Sequence, residues 1–314
     1  MSYYPILLAS GVIGIGLSLV IIGGGLAWLL VRTLQAKEVD RRIIFLFIFV
    51  AVAMPIIFPF TFEERLSPTV KAAFDQIENL PSGSRVLISY DFDPAGAPEL
   101  QPHANSFVRH AFAKGHKIIF MGLWPQGQSL LNVTLQQVVI PEFPDKKPGV
   151  DYAVLGYKAG NEGVLNVIVT NLRKMFPTDV NSVPLEQIPI FDGVRSMRDF
   201  DLILPIGSGQ PGVKEWVLFV GDPAQVPIVG GVAAVSTPQL FPYYPKQLKG
   251  LLGGVKGGAE YESEFKRRYP RFSGTDTPAL RMMGPQTLAH LVIMAFIVLG
   301  NVAFFRRRAR GESR

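Results

Sequence analysis

The chain reads as an α/β protein: a doubly wound, mostly parallel Rossmann-like sheet of about five strands, with three transmembrane helices. Three observations predict this. Between Phe62 and Met283, short continuous apolar runs alternate with helical stretches, the pattern of a parallel sheet covered on both faces. Three longer apolar runs, Pro5 to Val31, Ile43 to Phe60 and Leu288 to Phe305, carry no charge. The charge of the protein gathers at the ends of those runs.

The first apolar run has 27 residues and the other two have 18 each, against the roughly 20 needed to cross a hydrocarbon core of about 30 Å. Met1 to Tyr4 lacks a positive charge and the first run is too long for a signal-peptide core, so an uncleaved anchor is expected. Pro55 and Pro59 predict a kinked or unwound outer end for the second run.

In the central region, Arg85 to Tyr90, Lys117 to Leu123, Asp151 to Gly156, Asp201 to Ile206 and Val226 to Gly231 read as strands one to five. Helices are expected over His103 to Lys114, with Gly115 at its end, Ser129 to Ile140, stopped by Pro141, Gly163 to Phe176, stopped by Pro177, and Val213 to Val220. The connections Pro141 to Val150 and Phe176 to Pro189 read as surface loops or lids.

Arg32 to Arg42 and Arg306 to Arg314 together hold nine basic and three acidic residues, a surplus of six that equals the net charge of the whole protein. The 222 residues from Phe62 to Met283 hold 22 of each sign. The basic balance is therefore the positive-inside pattern of a membrane protein and no argument for nucleic acid. It divides the chain into a first span (1–34), a cytoplasmic loop (35–42), a second span (43–60), an extracytoplasmic domain (61–283), a third span (284–305) and a basic cytoplasmic tail (306–314). The expected location is the inner or plasma membrane, and the expected partner is the lipid bilayer.

There is no cysteine, which excludes disulfides, a thiolate nucleophile and cysteine-held metals. The four histidines, His103, His110, His116 and His290, show no ligand spacing, and no G-x-S-x-G elbow occurs. No metal and no cofactor is assigned, and no catalytic residue is named.

In a doubly wound sheet ligands bind beyond the carboxyl ends of the strands. Strand one ends in Asp91-Phe92-Asp93-Pro94-Ala95-Gly96, paired acids suited to a divalent cation, or to an Asx turn and a helix cap. Strand four leads into Gly207-Ser208-Gly209-Gln210-Pro211-Gly212. This is G-x-G-x-x-G in the strand–turn–helix setting that cradles a phosphate, but the acid that would bind a ribose is missing and Pro211 removes a donor. Trp124 follows strand two and Lys158 follows strand three; they could meet a ring and an anion, or sit on surface turns. With Ser236, these give the candidate ligand-binding set: Asp91, Asp93, Trp124, Lys158, Gly207, Ser208, Gly209 and Ser236.

Lys249 to Glu262 carries Gly250, Gly253, Gly254, Gly257 and Gly258. If helical, these form one bare stripe that costs about 1 kcal/mol per glycine against alanine, an outlay that close packing of two backbones would offset, within the domain or between subunits. Ser10, Gly14 and Ser18 form a small-residue face in the first span. The stripe is taken as an oligomer contact.

The strings Gly230-Gly-Val-Ala-Ala-Val-Ser236, Pro242-Tyr243-Tyr244, Gly250 to Glu262, Leu87 to Asp93 and Leu123 to Gly127 resemble an uncharacterised family of prokaryotic membrane proteins. The resemblance implies a three-span protein with an extracytoplasmic α/β domain and brings no activity or site with it. The expected function is a non-enzymatic scaffold or assembly subunit, as a homo-oligomer or with other membrane subunits. A membrane-tethered sensor for a small anionic ligand is the alternative.

Overall fold

The computed structural model describes residues 16–17, 19–35, 40–58, 60 and 64–309. The chain forms two compact units, one of residues 1–63 and 280–314, the other Glu64–Ala279.

The second unit is built on a six-stranded, wholly parallel sheet: β1 (Arg85–Asp91), β2 (Lys117–Gly122), β3 (Tyr152–Tyr157), β4 (Leu202–Gly207), β5 (Ile228–Val232) and β6 (Leu248–Gly253). Their order is β3-β2-β1-β4-β5-β6, the Rossmann order, with β1 and β4 adjacent at its centre. Register is set by apolar side chains alternating between faces. Leu87 lies opposite Ile119 on β2 and Ile203 on β4, while Ile88 lies opposite Phe120 and Leu204.

The two faces make two cores. Val86, Ile88 and Tyr90 of β1 pack with α3 (Pro68–Glu78), α4 (Ala97–Ala113), α5 (Gly127–Thr134) and α8 (Gly254–Arg268). Leu87 faces the other way, with α6 (Glu162–Ile168), α7 (Val213–Trp216) and the 172–200 excursion. Burying each such side chain contributes about 1.5–3 kcal/mol, and each strand feeds the apolar cores on both faces.

Three expectations are corrected here. The sheet has six strands, because Leu248–Gly253 is an edge strand where a glycine helix was expected. Helix α3, with Pro68 at its first position, was not anticipated; its Ala73 packs on Gly250 of β6 and covers that edge. The helices expected over 129–140 and 213–220 each contain a π-helical turn, Leu135–Val139 and Val217–Gly221.

In the first unit, α1 (Gly24–Leu34) follows a π turn at Leu19–Gly23, α2 is Arg41–Ile57, and α9 is Pro278–Ala309, whose first two residues belong to the second unit. Among the described residues α9 alone is long and apolar enough to cross a membrane, where three such spans were expected; Val20–Arg32 and Arg42–Ile57 are shorter apolar helices. Asp40 caps α2 through the Arg42 N–H, 2.9 Å away. Helix α2 runs through Pro55 and ends at Ile57, with Phe58 outside helical geometry, three residues before the end of the apolar run at Phe60. Ser10, Gly14 and Ser18, Pro59, and residues 310–314 of the basic tail lie outside the described residues.

Candidate functional site

The crevice of this fold lies between the loops leaving β1 and β4, which connect to opposite faces of the sheet. Asp91 closes β1 and is fully buried. Its Oδ1 accepts from Ser89 Oγ–H and from the Leu123 N–H, both at 2.8 Å, and its Oδ2 accepts from Trp216 Nε1–H at 2.7 Å. Burial pushes its pKa up to about 7; the three donors work against that rise and nearby Glu215 adds to it. Asp91 is thus a tie between β1, the end of β2 and α7, with both oxygens engaged inside the protein. Asp93 is half-buried and accepts the Gly96 N–H at 3.1 Å, an Asx-type turn. Among the described residues no group of three or more His, Asp or Glu is placed to hold a metal ion.

The glycine loop after β4 folds onto itself. A Cβ on Gly207 would stand 3.0 Å from Gly212 Cα, and one on Gly212 would overlap the Gly209 carbonyl. The small residues let this loop turn back sharply, and what then approaches it belongs to the same chain. The Trp124 ring lies against Gly209, 3.1 Å from where its Cβ would be, and its Nε1–H donates to the Pro211 carbonyl at 2.8 Å. The Gly212 N–H, at the start of α7, is held by Glu215 Oε2 at 2.9 Å. Gln210 Nε2 donates to Glu162 Oε1 at 2.9 Å, joining the loop to α6. The Glu215 carboxylate saturates the Gly212 donor and would repel an anion beside it.

Four of the eight candidate residues come together. Gly207, Ser208, Gly209 and Ser236 line a cleft of about 350 Å³ with Lys214 and Gln239 among its walls. Asp91, Asp93, Trp124 and Lys158 are not among the residues lining it. The Lys158 ammonium sits 5.2 Å over the Phe176 ring, and the Lys158 backbone N–H donates to the Gly122 carbonyl at 3.1 Å. A larger cleft of about 520 Å³, bordered by Asp179, Asn181, Gln128 and Asn132 beside β3, involves the 176–189 excursion, which reads from the sequence as a surface loop or lid.

The glycine stripe dissolves into several separate packing contacts. Gly250 and Gly253 belong to β6 and only Gly254, Gly257 and Gly258 to α8. Gly254 has φ +59°, a conformation disfavoured for side-chain-bearing residues, and its Cβ would stand 2.7 Å from Ala234 Cβ. Gly253 faces Thr237, Gly257 faces Leu252, and Gly258 faces His103 and Ala279. All of these neighbours lie in the same domain, so the glycines serve packing within it.

One cluster escaped the sequence reading. His110, fully buried on α4, accepts the Tyr261 hydroxyl at Nδ1 (2.6 Å) and donates from Nε2 to Glu78 Oε2 at 2.9 Å; Tyr269 OH donates to the same oxygen at 2.7 Å. Burial lowers the His110 pKa to about 4, keeping the ring neutral. Hydrogen bonds from Tyr269 and His110 overcome the burial of Glu78 and hold its carboxyl well below the usual range. The order Tyr–His–Glu imitates a catalytic relay, but Tyr261 has no exposed surface at which to meet a substrate. It binds α3, α4 and α8 together. Its members come from three distant segments, so no spacing in the sequence announces it. No family model and no curated protein matches the chain.

Proposed function

We propose that this protein is a membrane-anchored scaffold or assembly subunit whose Rossmann-like domain does not use its crevice for a cofactor. The observation that carries this reading is the occupied glycine loop: Trp124 on Gly209 and Pro211, and Glu215 on the Gly212 N–H. A dinucleotide would need to displace both, exposing a buried carboxylate and losing two hydrogen bonds.

Anchoring in the bilayer is supported by α9, whose 32 residues make about 48 Å of helix. The charge pattern supports three spans with the amino terminus and the domain outside and both basic segments inside. Protease added to intact spheroplasts should cut the domain; full protection would overturn that placement.

The cleft lined by Ser208, Lys214 and Ser236 favours a second reading, a sensor for a small polar ligand. Cross-linking in native membranes followed by mass spectrometry separates the two. A scaffold yields reproducible cross-links from domain lysines to particular membrane partners or to a second copy, and their absence would count against the scaffold.

A further inference from the structure

We propose that the cleft beside β3 is a binding site for a neutral saccharide. It shares no lining residue with the cleft at the glycine loop, and nothing in it depends on the membrane segments. Asp179, Asn181 and Gln187 come to it from the 176–189 excursion, Gln128 and Asn132 from α5, and Tyr152 from β3. Both flanks are held in shape. In the excursion, Thr178 bridges Pro184 as in an antiparallel pair, and the Asp179 N–H donates to the Val183 carbonyl at 3.0 Å. The Asp179 carboxylate accepts the Asn181 and Val183 N–H groups at 2.9 Å and the Asn181 Nδ2–H at 3.1 Å, closing a short hairpin. On the other flank, Gln128 Nε2 donates to Asn132 Oδ1 at 3.4 Å, one turn along α5. Leu135, which also borders the cleft, opens the π turn that follows, a helix irregularity common at functional sites. The Tyr152 ring is braced edge-on by Phe112 and Phe120, with centroids 6.2 and 6.3 Å away.

Charge and hydrogen bonding identify the occupant. Among the described residues no lysine or arginine lines the cleft, and its one carboxylate, Asp179, would repel an anion. That carboxylate already accepts three donors, and no second acid or histidine joins it in the lining, so it offers a cation no coordination shell. An extended peptide would need the open edge of β3. The outward carbonyls there, Tyr152 and Val154, already accept the Gly149 and Val180 N–H groups at 2.7 and 3.0 Å, which closes the edge to strand addition. Amide chemistry is what remains free. Gln128 Oε1, Asn132 Nδ2, Asn181 Oδ1 and both polar atoms of Gln187 have no hydrogen-bond partner among the described residues. A side-chain amide offers a donor and an acceptor side by side, and a hydroxyl both gives and takes a hydrogen bond. Vicinal hydroxyls of a sugar match such groups, where a phosphate or a carboxylate does not. The C–H faces of the sugar meet Leu135, Ile188 and the Tyr152 ring, and a volume of about 520 Å³ is that of a small-ligand site.

The full chain is placed in nanodiscs, free of sugar-headed detergent, and titrated with glucose, N-acetylglucosamine, maltose, cellobiose and N,N′-diacetylchitobiose, with glucose-6-phosphate as the anionic counterpart. Saturation-transfer difference NMR reads the binding. At least one neutral sugar should receive saturation from the protein, and glucose-6-phosphate should receive none. Binding of a monosaccharide supports a free sugar as the occupant, and binding confined to the disaccharides supports a glycan chain. Asn132 and Gln187 are exposed, so Asn132→Leu and Gln187→Leu leave the core untouched. Each should weaken the binding by about tenfold, the effect of leaving sugar hydroxyls without their partner, at an unchanged melting temperature. Silence from every neutral sugar overturns the site, and so does glucose-6-phosphate binding as tightly as they do. Binding that survives both substitutions and vanishes in Ser208→Leu overturns it as well, by placing the sugar in the cleft at the glycine loop.

Discussion

Trp216 donates its indole N–H to Asp91 Oδ2 at 2.7 Å, and neither residue has any exposed surface. This bond joins the end of β1 to the helix that leaves β4, across the place where a Rossmann-type domain opens its crevice. Burial lifts the Asp91 pKa to about 7, against the pull of this bond.

The sign of the resulting pH effect follows directly. An unfolded aspartate titrates near 3.9, so between about pH 4 and pH 7 the folded state keeps a proton that the unfolded state has lost, and stability from Asp91 falls as pH rises through that window. Asp91→Asn cannot ionise but offers one acceptor fewer. Its melting temperature should lie below that of the wild type at about pH 5, and the gap should narrow or invert by about pH 8. A gap independent of pH in differential scanning calorimetry would contradict the assignment.

The histidines act in the opposite direction. Burial lowers the pKa values of His103 and His110 to about 4. Unfolded histidine binds its proton near pH 6.5, so their contribution is complete above that value and is lost as pH falls toward 4. Tyr261→Phe removes the donor to His110 Nδ1 and leaves a buried nitrogen unpaired, at a cost of about 1–3 kcal/mol. Thermal melts at neutral pH should show this loss, and an unchanged melting temperature would mean that the hydroxyl does not hold the ring.

Gly250 and Gly163 give opposite expectations for the same substitution. A methyl group on Gly250 would overlap the Ala73 backbone, whereas Gly163 on α6 has open space around its Cβ. Gly250→Ala should destabilise by about 1–3 kcal/mol through overpacking, and Gly163→Ala should stabilise by roughly 0.5–1 kcal/mol. Neither should change the stoichiometry in mild detergent. A change of stoichiometry in Gly250→Ala without loss of stability would return the glycines to a subunit interface.

Trp124→Ala removes the ring over Gly209 and the donor to Pro211. Hydrogen–deuterium exchange should quicken across residues 207–212 while the β1 and β4 amides keep their protection. Unchanged exchange in that loop would show that Trp124 does not fasten it.

The sheet was legible because buried parallel strands are continuous apolar runs; all five expected strands formed, with ends such as Gly122, Tyr157 and Ile228 differing from expectation by no more than a residue or two. The sixth strand was not legible. Leu248–Gly253 contains Lys249 and two glycines, and its strand state depends on Ala73 of α3, far away in sequence. The G-x-G-x-x-G string located the turn correctly but could not reveal what fills it. Trp124 and Pro211 meet only after β2 and β4 come to lie on either side of β1. Asp91 was singled out for its position, yet its orientation toward Ser89, Leu123 and Trp216 is set by packing alone.

The most direct test of the closed crevice is a thermal-shift screen of the full chain with nicotinamide and flavin dinucleotides, nucleotides, sugar phosphates and inorganic phosphate. A ligand present at 100 times its dissociation constant stabilises by about 2.7 kcal/mol, an easily read shift. The account predicts no shift for the wild type with any dinucleotide or phosphate. A clear upward shift that disappears in Gly209→Leu would place a ligand on the glycine loop and contradict it.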